Sequence, residues 1–106
     1  MNETDYKIVE QFKQKLVENQ IPVREMIVFG SRARGDADPD SDLDVLVLLD
    51  WKSFEMDRRV SHYAWEVGFE ADVIIQSVVM TYQQAREGPE KSSLLMLAVE
   101  QEGVSV

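Results

Sequence analysis

The sequence predicts an α/β (α+β) domain with a single mixed β-sheet flanked by helices. Three observations carry that expectation. The chain has 106 residues, enough for one domain spanning 1–106 and too few for two. Short apolar runs bounded by Gly, Pro and Asp alternate with longer stretches of helical spacing. Hydrophobic residues are 44% and charged residues 29%, so a buried core is affordable and a disordered chain is not expected.

The elements follow in order. Tyr6, Val9, Phe12 and Leu16 recur at helical spacing, which predicts an amphipathic helix over about residues 3–19, ended by Pro22. Met26 to Phe29 form an apolar run closed by Gly30, the pattern of a short buried strand. Residues 31–41 are rich in Gly, Asp, Ser and Pro and predict mostly loop, with room for a short opening helix. Asp42 to Leu49 turns β-branched and apolar and predicts a second strand. Met56, Val60, Tyr63, Ala64 and Val67 predict a helix, with Gly68 where a C-terminal cap is expected. Ala71 to Ile75 predicts a third strand, and Val78 to Arg86 a short helix stopped by Gly88 and Pro89. Leu94, Leu97 and Ala98 predict a last helix before Gly103, and Val104 to Val106 an edge strand.

Charge and composition exclude several functions. Lys and Arg number 11 against 20 Asp and Glu, a net charge of -9, with no clustered basic block. Direct nucleic-acid binding is not expected, because phosphate-backbone recognition runs on such blocks. No cysteine is present, which excludes disulfides, thiolate metal sites and a thiol nucleophile. The polar, acidic start does not read as a secretory signal. The longest apolar run, Val45 to Leu49, is far short of a membrane span. A cytoplasmic protein is the expectation.

The chemistry concentrates between Gly30 and Asp44. Asp42 and Asp44 fall on one face of a strand, about 7 Å apart along the backbone. Two carboxylates on one face repel unless a cation lies between them or one is protonated. They precede Leu46 and Leu48 on that face, a poor place for idle charge. Mg²⁺ suits such a pair, since it takes oxygen ligands and is held by one or two carboxylates plus substrate phosphates. The bland alternative is a solvated strand end. Asp72, flanked by Val73, Ile74 and Ile75, reads as a third acid within an apolar strand, and Glu70 shares its parity. If that strand lies beside the Asp42 strand, three carboxylates converge as two-metal phosphoryl transfer needs. Gly30 permits close backbone approach of a ligand, and Ser31 adds a hydroxyl at the start of a turn or helix. Ser31 could equally be an ordinary helix N-cap. Arg32 and Arg34 could face a triphosphate or balance the acidic loop.

Together, Gly30-Ser31, then Asp42-Leu43-Asp44 after ten residues, and Asp72 on a later strand, resemble the DNA polymerase β-type nucleotidyltransferase superfamily. The fuller string Gly-Ser-Arg-Ala-Arg-Gly…Ser-Asp-Leu-Asp-Val and the closing Glu102-Gly103-Val104 are similar to its minimal nucleotidyltransferases, and within these to the MntA-like antitoxins. The resemblance implies a minimal polymerase β-type nucleotidyltransferase fold. It implies that the Gly-Ser turn holds ATP, that Asp42, Asp44 and Asp72 hold two Mg²⁺ ions, and that Asp72 helps activate the acceptor hydroxyl. It also implies AMP transfer to a tyrosine of a HEPN-domain (HepT-like) ribonuclease toxin. Nothing after Gly88 is long enough for an acceptor-gripping domain, so the acceptor side must come from another protein.

Rival readings are weaker. The alternating acids Asp36 to Asp44 lack the Gly and Glu that a calcium loop needs at its sixth and twelfth positions, so Asp36, Asp38 and Asp40 read as a solvated loop. His62 is the only histidine, which argues against a zinc site and leaves a Ser-His-Asp triad without a nucleophile-elbow string. Two alternatives to the enzyme remain: an acidic antitoxin that neutralises its toxin by covering it, and a transferase for a small-molecule or RNA acceptor.

Overall fold

A computed structural model describes residues 1–106. Helix α1 (Glu3–Glu18) is followed by strand β1 (Val23–Phe29), the short helix α2 (Gly30–Arg34) and strand β2 (Leu43–Leu49). Helix α3 (Phe54–Ala71) leads to strand β3 (Ile75–Thr81) and helix α4 (Tyr82–Glu87). A 3-10 turn (Pro89–Ser92), helix α5 (Leu94–Glu102) and strand β4 (Val104–Ser105) complete the chain. The sheet order is β3-β2-β1-β4, with β2 and β3 parallel and the other neighbours antiparallel, so the expected single mixed sheet is present.

Strand alternation sorts the core into two layers. Val45, Val47 and Leu49 of β2 point with Met26 and Val28 toward α1 and α3. Leu46 and Leu48 point with Ile27 toward α4 and α5. Covering both faces of β2 with helices explains why that strand reads as a continuous apolar run. The parity also fixes the direction of the acids: Asp44, two residues before Leu46, belongs to the α5 face.

The first helix shows one departure from its amphipathic pattern. Ile8, Val9, Phe12 and Leu16 are buried, but Tyr6 is exposed and Asp5 is 2% exposed. Asn2 caps the helix by accepting from the Asp5 N–H at 2.8 Å. The burial of Asp5 has a distant cause, its pairing with Arg32 (below).

Between residues 68 and 81 the expectation fails. Gly68 is not a cap. It lies inside α3, where a Cβ would stand 2.5 Å from Val73 O, so glycine there permits the close approach of the chain entering β3. The helix continues through Ala71, and Asp72 terminates it in the left-handed region at φ 57°, a conformation that Asp tolerates better than most residues. The Asp72 N–H donates to Phe69 O and the Val73 N–H to Gly68 O. The strand therefore starts at Ile75, not Ala71, and carries Val78, Val79 and Met80, which the sequence pattern places in a helix. Helix α4 begins only after Thr81. Thr81 and Gln84 form a capping box there: Thr81 Oγ1 accepts from the Gln84 N–H, and Gln84 Oε1 accepts from the Thr81 N–H. That Thr-x-x-Gln spacing was a signal available in the sequence.

Candidate functional site

The end of β1 and the start of β2 meet beside α2. Phe29 pairs with Asp44 in the antiparallel ladder, so the residue after Phe29 falls directly against the Asp44 side chain. That residue is Gly30, at φ +78°. A Cβ on it would collide with Asp44 Oδ2. Gly30 is thus required twice over, by its backbone angle and by the carboxylate beside it. Gly30→Ala is expected to cost about 1–2 kcal/mol from the backbone angle alone. It should also displace Asp44, and thermal unfolding together with a divalent-ion titration checks both effects.

Asp42 and Asp44 both stand near the mouth of this turn, half-buried. Burial pushes the Asp44 carboxyl above the ordinary carboxylate range, and the charge of Asp42 pushes it the same way. Arg34 opposes this shift and Glu102 adds to it. Arg34 is itself paired, donating from Nε to Asp36 at 3.2 Å and from Nη1 to Glu102 at 2.6 Å, which links α2 to the end of α5. On the β3 side, Gln76 Nε2 donates to Asp42 Oδ2 at 3.2 Å. Ser31 is the second residue of α2, whose N-cap position is Phe29 and carries no side-chain hydrogen bond.

Two of the residues expected at this site are directed elsewhere. The Arg32 guanidinium points to the opposite side of the loop, toward α1. It donates from Nη1 to Asp5 at 3.0 Å, from Nε and Nη2 to Ser41 O, and from Nη2 to Pro39 O. Its acceptors make it the clamp of the acidic loop, with Asp5 buried as counter-charge. Of the two arginines, Arg34 is the one that faces the acid pair.

Asp72 also departs from expectation. It is not within a strand but at the exposed C-terminal end of α3, and Glu70 is on the same helix. Asp72 lines a cavity of about 910 Å³ with Arg32, Ser41, Trp65 and Phe69. Asp42 and Asp44 are not among the residues lining that cavity. No three acidic or histidine side chains come together as a metal-holding group. The β3 residue beside Asp44 is Gln76. The expected convergence of three carboxylates is therefore replaced by two carboxylates and an amide, because the strand starts later than its apolar pattern implied.

The loop acids and the lone histidine lie on the surface. Asp36, Asp38 and Asp40 are exposed loop residues. His62 is on the surface of α3 and pairs only with Glu66 at 3.1 Å. No helix is long and apolar enough to cross a membrane.

Known proteins share this architecture. The profile of the nucleotidyltransferase domain matches residues 7–98. A bifunctional uridylyltransferase/uridylyl-removing enzyme of Burkholderia mallei (strain SAVP1) is 33% identical over 64 residues, which cover 57% of this chain and 8% of that enzyme. The chain thus spans less than a tenth of the curated relatives it matches. Among solved structures, a toxin-antitoxin with AMP-PNP superposes with a TM-score of 0.63 at 20% identity, covering 95% of this chain and 70% of that one. A tri-AMPylated Shewanella oneidensis HEPN toxin in complex with MNT antitoxin gives 0.53 at 18% identity, covering 96% and 67%. At these identities the structural likeness speaks for the fold, whereas the profile match extends over most of the chain, including the Gly30 turn, Asp42 and Asp44, and shows that this chain belongs to the nucleotidyltransferase domain family.

Proposed function

We propose that this chain is an Mg²⁺-dependent nucleotidyltransferase that moves AMP from ATP to a tyrosine hydroxyl of a HEPN ribonuclease toxin, acting as its antitoxin. The observation that carries the reading is the Asp42–Asp44 pair beside the Gly30 turn, with Asp44 held partly away from water against Asp42. The family match and the folds of the toxin-antitoxin structures support it.

The donor set fits a hard divalent cation, since Asp44, whose proton affinity burial and the charge of Asp42 raise, is relieved by a positive charge shared with Asp42. Asp42 and Asp44 would hold it, and when bound it would supply neutralisation of charge on the α-phosphate. A set of three carboxylates for two ions is not what β2 and β3 present.

The rest of the chemistry falls to the chain's own residues. Gly30 leaves backbone room for the triphosphate, and Ser31 offers a hydroxyl to it. Arg34 is the cation placed to meet phosphate oxygens on the Asp44 side. The acceptor oxygen bonds to the α-phosphorus, the bond from that phosphorus to the bridging oxygen breaks, and pyrophosphate leaves with its electron pair. The acceptor proton passes to a base, a role for which β3 offers no carboxylate beside the pair. Catalysis then rests on positioning and electrostatics.

Incubating the chain with a HepT-like ribonuclease, ATP and Mg²⁺, followed by intact-mass measurement of the ribonuclease, tests the proposal. AMP adducts on tyrosine are expected. A second reading is favoured by the net charge of -9 and by the amide beside the acid pair: an acidic module that covers its toxin without modifying it. An inhibited but unmodified ribonuclease in a stable complex would establish that reading instead.

A further inference from the structure

The ladder between β2 and β3 determines what stands beside the acid pair. Asp44 is beside Gln76. One step back, the Leu43 N–H donates to Ile74 O at 2.8 Å, which carries the same register to Ile74 beside Asp42. Strand alternation puts Ile74 and Gln76 on the face of Asp42 and Asp44. The neighbouring strand therefore contributes an alkyl group and an amide to this face, and no carboxylate. The charged groups that act on Asp44 are Asp42, Arg34 and Glu102, and Glu102 is engaged by Arg34. Gln76 alone reaches Asp42 from β3, through its amide donor at 3.2 Å.

We propose that Gln76 is the positioning residue of the cation site: it orients Asp42 and, being neutral, limits the acid pair to one weakly held divalent ion until a triphosphate adds its own oxygens. The inference rests on reading the acid pair as a nucleotidyltransferase site. Its physical basis is ligand charge. Affinity for a hard cation rises with the number of carboxylates that surround it, and an amide adds no negative charge. The same position occupied by an acid would present three negative charges and a stronger, more persistent ion site.

The test is a Mn²⁺ titration of the full chain without nucleotide, followed by electron paramagnetic resonance, on the wild type and four variants. Gln76→Glu is expected to bind Mn²⁺ about tenfold more tightly, because it adds a third carboxylate. Gln76→Leu, which cannot hold Asp42, is expected to bind about threefold more weakly. Both should melt within about 2 °C of the wild type, since Gln76 is exposed. The Leu variant keeps the inference testable if the added charge of the Glu variant disturbs folding. Affinities of both variants within about twofold of the wild type would overturn the role of Gln76. Asp42→Asn and Asp44→Asn separate this from the underlying reading. If they too bind Mn²⁺ like the wild type, the acid pair is not a cation site and the nucleotidyltransferase reading fails with it. If they lose binding while the Gln76 variants do not change, only the inference about Gln76 falls.

Discussion

Asp44→Asn should abolish AMP transfer and at the same time raise the melting temperature of the metal-free protein. Loss of one of the two carboxylates proposed to hold the cation is expected to lower the rate about 10³-fold, comparable to the loss of one electrostatic contact to a transition state. The stability effect has the opposite sign. Burial, and then the charge of Asp42, raise the folded-state pKa of Asp44 above its value in the unfolded chain. The ionised form is therefore disfavoured by folding, and above the raised pKa it reduces stability. Asparagine removes that charge, so a higher melting temperature is expected near neutral pH. As the pH falls through the raised pKa, wild-type Asp44 takes up a proton and regains the lost stability, and the two proteins should converge. Transfer of label from α-labelled ATP measures the first effect, and melting curves at neutral and mildly acidic pH measure the second. A variant that loses activity and also melts lower would mean that Asp44 is a structural residue.

Arg32→Ala is expected to be the most destabilising of these substitutions. It would leave Asp5, 2% exposed, as an unpaired buried carboxylate, and would release the carbonyls of Pro39 and Ser41. Breaking a buried pair in this way costs about 3 kcal/mol or more, which corresponds to a melting temperature lower by about 12 °C or more in a domain of this size. Arg32→Lys should rescue little of this, because a single ammonium cannot serve three acceptors spread over a planar fork. Denaturant titration checks the stability change. ATP binding near the wild-type level in whatever fraction remains folded would agree with a clamp. A stable Arg32→Ala protein with weakened ATP binding would restore the phosphate role that the sequence pattern had left open.

These two substitutions mark where sequence reasoning succeeded and where it stopped. Asp42 and Asp44 were legible because their signal is local: an i, i+2 acid pair opening an apolar strand, preceded by a Gly-Ser turn. The partnership of Arg32 with Asp5 was not, because 27 positions separate the two residues. Nothing in the spacing of α1 distinguishes a buried Asp5 from a solvated one. The third strand was misplaced for a different reason. Val73, Ile74 and Ile75 are β-formers, so their pattern predicts a strand from Ala71. In the folded chain α3 extends to Ala71, and Asp72 turns the backbone in the left-handed region before β3 starts. The Thr81–Gln84 capping box would have shown where the strand ends and α4 starts.

The amino-acid pattern by itself determined a mixed sheet between helices and a glycine turn set against two carboxylates, because periodicity, turn chemistry and short-range charge are properties of adjacent residues. Tertiary structure alone decided the register of β3, and with it that Gln76 rather than Asp72 stands beside Asp44. It also decided that Arg34 faces the acids while Arg32 holds the loop to α1. Register and pairing across the sheet depend on where distant segments pack, and moving the start of a strand by a few residues changes which side chain arrives at a site.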